Sequence, residues 1–96
     1  MLTYKAMYKF LDGGVHGEVL DFPGAITFGR DLNETRDLLT GALVDMAETN
    51  LMIGENLPVP NSAVLDPDAD LVEPIQLILN ASSRFTVVPE LVYEAA

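Results

Sequence analysis

The stretch from Gly13 to Leu43 constrains this chain more than any other part of it. It reads Gly-Gly-Val-His-Gly-Glu-Val-Leu-Asp-Phe-Pro-Gly, then Ala-Ile-Thr-Phe-Gly-Arg, then Asp-Leu-Asn-Glu-Thr-Arg-Asp-Leu-Leu-Thr-Gly-Ala-Leu. In physical terms this is a tight turn, a strand, a second turn, a short strand and a capped amphipathic helix. Asp12-Gly13-Gly14 supplies residues that tolerate φ > 0, as a hairpin connection needs. Pro23 fixes φ and Gly24 is free to go left-handed, which turns the chain again. The strands between these turns are expected at Val15 to Leu20 and at Ala25 to Phe28. Ahead of them, Leu2, Tyr4, Ala6, Tyr8 and Phe10 alternate with Thr3, Lys5, Met7 and Lys9, the pattern of a half-buried strand with one apolar face.

The helix start is sharply marked. Asp31 can cap the first backbone amides, and Glu34 three residues later can reach back, in the manner of a capping box. Thr35, Leu38, Leu39, Ala42, Leu43, Met46 and Ala47 then follow helical spacing and form the apolar face. Gly54 is expected to end the helix, and Pro58 and Pro60 forbid its simple continuation. Asn56 to Asp70 reads as loop. Leu71 to Asn80 is apolar but undecided between strand and helix, with Pro74 admitting at most an edge strand. Phe85 to Val88 has β character, and 89–96 has no assignment. The fold class is therefore α+β: a three-stranded antiparallel meander, one amphipathic helix and a further strand, β-β-β-α-β.

Ninety-six residues make one domain. Residues 1–80 are expected to form it, with 81–96 a C-terminal extension. No run approaches the roughly 18 apolar residues of a membrane span, and the first residues lack the apolar block of a secretory signal. There is no cysteine, which fits a cytoplasmic protein and removes thiolate and disulfide chemistry. Charge is unevenly placed. Residues 1–30 balance Lys5, Lys9 and Arg30 against Asp12, Glu18 and Asp21, while residues 31–96 hold Arg36 and Arg84 against twelve acids and so carry the whole net charge of −10. Nucleic-acid affinity rests on Lys and Arg neutralising phosphates, so direct nucleic-acid binding is not expected. A basic protein partner is the natural complement, although charge also serves simple solubility.

At about 100° per residue, Glu34, Asp37, Asp45 and Glu48 fall within one arc of the helix, with Gly41 in its middle. Two like-charge pairs at i, i+3, anions toward the helix C-terminus and an interior glycine all break local rules on one face. Such a face is a candidate dock for a basic partner. A solvated helix surface is the plain alternative. Asp66-Pro67-Asp68-Ala69-Asp70 begins like a calcium loop, but Leu71 stands where glycine is needed and Leu77 where glutamate is needed, so it reads as a solvated acidic linker. His16 has no nucleophile or carboxylate motif beside it and reads as an ordinary strand residue. Asp12, Glu18 and Asp21 are the nearest candidates for paired metal-binding carboxylates, but Asp12 and Asp21 are better explained by the turns. No constellation marks an enzyme, and no cofactor or metal is expected. Exposed apolar surface on so small a domain suggests a homo-oligomer.

Gly13-Gly14, Asp21-Phe22-Pro23-Gly24, the Asp31/Glu34 cap and Gly54-Glu55-Asn56-Leu57-Pro58-Val59-Pro60 together resemble the HicB-like antitoxin domains, in order and over roughly residues 3–60. The resemblance implies a partial RNase H-like fold. It also implies a function: binding a small basic mRNA-cleaving toxin of the HicA type and covering its active site. Phe22 stands where leucine is usual. Many members carry a C-terminal DNA-binding segment; about 26 residues follow Asp70 here, with Arg84 their sole basic residue, so operator binding is not expected. Two other functions fit the chain: a stand-alone oligomeric HicB-like binding or scaffold module, and a cryptic metal-dependent nuclease.

Overall fold

Local chemistry and long-range pairing agree over most of the chain. A computed structural model describes residues 2–79. The elements are β1 (Leu2–Leu11), β2 (Gly14–Val19), β3 (Ile26–Gly29), α1 (Leu32–Met52) and β4 (Leu71–Leu77). The expected β character of 85–88 and the extension over 81–96 lie outside the described residues.

Gly13, with φ of 85°, makes the β1–β2 hairpin turn, and Gly24, with φ of 95°, makes the turn into β3. The antiparallel sheet runs in the order β3-β2-β1-β4. The undecided segment is thus an edge strand, which is where Pro74 can be tolerated. It pairs Glu73 with Ala6 and Val72 with Met7.

Helix α1 begins as its sequence requires. The Asp31 carboxylate accepts the Glu34 N–H at 2.8 Å, and Glu34 reaches back to the Arg30 N–H at 2.7 Å. It ends at Gly54, whose φ is 81° and whose N–H donates to the Leu51 carbonyl. Thr35, Leu39, Leu43 and Ala47 form its buried stripe. They pack with Tyr4, Ala6, Tyr8, Val15, Val19, Phe22, Ala25 and Leu77 in the core between helix and sheet. The first turn of α1 comes very close to β2 and β3. A Cβ at Gly17 would sit 2.8 Å from Thr35 Cγ2, and one at Gly29 would sit 2.9 Å from Thr35 N. Glycine at both places is what lets the helix seat there.

Three expectations about faces need correction. Leu38 is 44% exposed rather than core. It lies about 100° round the helix from Leu39 and so falls on the rim of the buried stripe. Phe10 is also half-exposed, because α1 packs chiefly over β2 and β3 and leaves the far end of β1 uncovered. Met7, on the face of β1 expected to be polar, is completely buried. The reason is the segment that follows the helix.

That segment is a strap, not a free loop. The Tyr4 hydroxyl donates to the Pro58 carbonyl at 2.7 Å. The Asn61 N–H then donates to Asp21 Oδ2 at 2.9 Å, and Lys5 Nζ donates to the Ser62 and Val64 carbonyls at 2.6 and 2.8 Å. Lys9 Nζ pairs with Asp66 at 2.9 Å. Lys5, Met7 and Lys9 project from one face of β1, so the strap crosses the sheet on the side away from α1 and covers Met7. Asp70 closes it by accepting the Phe10 N–H at 2.7 Å. The Asp66–Asp70 run is largely exposed, as expected of an acidic linker, but the carboxylates of Asp66 and Asp70 also anchor a crossing that returns the chain to pair with β1.

Candidate interaction site on the outward face of the helix

The buried stripe of α1 is centred on Leu39 and Leu43, and the acidic arc lies on the opposite side of the helix, facing away from the sheet. Asp37, Gly41 and Asp45 are exposed there, and Glu34 and Glu48 flank them half-buried. The arc is not uniform. Glu34 is engaged at home: its carboxylate takes the Arg30 backbone N–H and guanidinium, which hold it below its ordinary pKa. Among the described residues, the carboxylates of Asp37 and Asp45 have no hydrogen-bond or ion-pair partner. A Cβ placed on Gly41 would meet nothing within 4 Å. No packing among the described residues requires glycine at that position, although it weakens the helix by about 0.5–1 kcal/mol relative to alanine. Chemically this surface offers two free anions beside a bare stretch of backbone.

Other acids of the chain have local work. Asp31 caps α1, Asp66 holds Lys9, Asp70 caps the Phe10 amide and Glu73 holds Arg36. Lys9 draws the Asp66 carboxyl below its usual value, helped by the Asp68 N–H. Asp37 and Asp45 are left as charge that no interaction among the described residues consumes.

The turn motif does something different from the arc. Asp21 is buried, with Oδ1 accepting the Lys5 N–H at 2.8 Å and Oδ2 accepting the Asn61 N–H. Phe22 is also buried and meets the Tyr4 ring edge-on, with centroids 5.2 Å apart. Pro23 and Gly24 are exposed and make the turn. Asp21 is thus more than a turn residue: it ties β1 to the strap. Beside it a groove of about 430 Å³, lined by Thr3, Tyr4, Lys5, Asp21, Ser62 and Pro74 among others, opens between strap and β4. Of its charged groups, Lys5 and Asp21 are committed to the backbone bonds just described and Glu73 to Arg36.

Asp12, Glu18 and Asp21 do not converge. Asp12 follows the end of β1 whereas Asp21 bonds to Lys5, about 20 Å back along the strand at the usual rise. Among the described residues no group of three or more His, Asp or Glu side chains could hold a metal ion. His16 sits on β2 with Nε2 3.3 Å from Glu18 Oε1, on the face away from the core.

One cluster escaped the sequence reading. Arg36 donates from Nε and Nη2 to the two oxygens of Glu73, at 2.9 and 2.8 Å, and the buried Tyr8 phenol lies beside the same pair. Burial and the adjacent Glu73 push the Tyr8 phenol up to about 12, while Arg36 holds Glu73 below its ordinary value. The grouping pins helix to edge strand. It depends on the β1–β4 register, for which the sequence carries no local signal.

No helix among the described residues is long and apolar enough to cross a membrane. No family model matches the chain, and no curated protein matches it.

Proposed function

We propose that this chain is a HicB-like antitoxin of partial RNase H-like fold that works in the cytoplasm. It would neutralise a small, basic, mRNA-cleaving toxin of the HicA type by stoichiometric binding rather than by catalysis. The observation that carries this reading is the outward face of α1. Two carboxylates without described partners flank a glycine that the fold does not need. Carboxylates on such a face can occupy a cationic groove where RNA phosphates would otherwise sit, and the missing side chain at Gly41 allows close backbone approach. The resemblance of Asp21-Phe22-Pro23-Gly24 and the helix cap to the antitoxin domains supports the same reading, as does a net charge of −10.

The test is co-expression with any small basic protein encoded beside this chain, followed by titration and a ribonuclease assay. A one-to-one complex that silences the ribonuclease is expected. Asp37→Lys with Asp45→Lys should weaken it by at least about tenfold and flatten its dependence on salt. Unchanged affinity and unchanged salt dependence would remove the arc as the interface.

A further inference from the structure

The two edges of the sheet are guarded unequally. Edge strand β4 carries Glu73 and Pro74, the kind of residues that discourage another strand from adding on. Edge strand β3 reads Ile-Thr-Phe-Gly, with neither charge nor proline, and among the described residues only β2 pairs with it. Its outward side chains are also bare. Ile26 is 52% and Phe28 53% exposed on the face away from α1, because the strap covers that face only over β1. The Phe28 ring lies over Gly14, where a Cβ would meet it at 2.5 Å, and Gly14 pairs with Leu11, itself half-exposed. Ile26, Phe28 and Leu11 thus form one apolar patch that reaches the open edge.

We infer that β3 is the contact between two copies of this chain, paired antiparallel about a two-fold axis into a continuous eight-stranded sheet. Charge bears on the occupant. β3 itself holds no charged residue, so the strand brings no like charge into a contact between two copies of net charge −10. A basic partner would find no anionic surplus there, since Glu18 faces His16 and Arg30 faces Glu34. The strand is also self-complementary. Cross-strand neighbours project to the same face, so pairing Thr27 with the partner copy's Thr27 sets Ile26 against Phe28 on both sides of the axis. Both helices then lie on one side of the joined sheet, with their acidic arcs outward and free. The inference does not depend on the antitoxin reading. The two also respond oppositely to salt: screening strengthens contact between like-charged copies and weakens docking of a basic protein.

Light scattering and sedimentation over the micromolar range test it. A dimer is expected whose affinity rises with added salt, and Phe28→Glu should weaken self-association by at least about tenfold with the helical circular dichroism unchanged. Since the chain has no cysteine, I26C combined with F28C should cross-link into a covalent dimer under mild oxidation. L65C, exposed on the strap, should not. The cross-link reads the interface even if Phe28→Glu fails to fold. A wild-type monomer throughout, a dimer in which I26C with F28C cross-links no faster than L65C, or a monomer that seats a basic protein over Phe28 would each overturn the inference.

Discussion

Asp21→Ala isolates the contact that holds the strap to the sheet. In the native fold one carboxylate accepts two backbone amides that belong to distant parts of the chain, Lys5 N–H at 2.8 Å and Asn61 N–H at 2.9 Å. Cutting the side chain to a methyl removes the acceptor of both amides. A buried donor left unpaired costs about 1–3 kcal/mol, and the adjoining groove lets water recover part of that. The loss should therefore be about 2–4 kcal/mol, or about 10–25 °C in Tm for a chain of this size. Asp21→Asn keeps one acceptor oxygen and turns an N–H toward the other amide, so about half the loss is expected. Urea and thermal melts give the totals. Hydrogen exchange locates them, with the Asn61 amide losing protection before amides in the β1–β2 ladder. If Asp21→Ala stays within about 0.5 kcal/mol of the parent and Asn61 keeps its protection, the strap is held by something else.

Three further outcomes follow from the same geometry. Gly41→Ala should raise stability by about 0.5–1 kcal/mol in urea melts, since the new methyl meets no atom of the described residues within 4 Å, and should weaken binding of the proposed toxin if the backbone there is approached closely. Gly29→Ala should cost about 1–3 kcal/mol, because its Cβ would press on the Thr35 backbone. For pH, the sign differs at the two ends. Glu73 is depressed in the folded state, so its contribution is present above the ordinary glutamate pKa and is lost as pH falls through the lower, folded value. Tyr8 is raised to about 12, so its contribution is complete below the ordinary 10.0 and is lost as pH rises toward 12. Glu73→Gln should flatten the acid limb of a stability–pH curve, and Tyr8→Phe the alkaline limb.

The parts legible in the sequence are those whose causes are local. Asp12-Gly13-Gly14, Pro23-Gly24 and Asp31 with Glu34 each fix a backbone conformation within four residues. β2, β3 and α1 accordingly begin and end within a residue or two of expectation. Met7 was not legible, because its burial depends on a strap that arrives some fifty residues later, drawn across by Lys5 and Lys9. The bonds that Asp66 and Asp70 make to β1 were hidden for the same reason. The Tyr8–Arg36–Glu73 cluster needs three elements placed at once. The outward arc on α1 was legible because helical spacing alone sets it opposite the core. What the sequence could not separate was Glu34, spent on Arg30, from Asp37 and Asp45, which no described side chain engages.

The distribution of charge becomes intelligible once the strap is in place. The two lysines of β1 stand on the face away from the helix, and there they meet the carbonyls and carboxylate of the strap. The cationic part of the chain is therefore consumed internally in closing the second face of the sheet. Arg36 is likewise consumed by Glu73 and Arg30 by Glu34. With each of these basic side chains committed to the fold, the Asp37 and Asp45 carboxylates on α1 have no described cation to answer them. Fold stability does not call for those two charges, since no hydrogen bond or ion pair among the described residues engages them and Asp45 opposes the helix dipole. A partner that supplies the missing cations from outside is the arrangement in which those two residues do physical work.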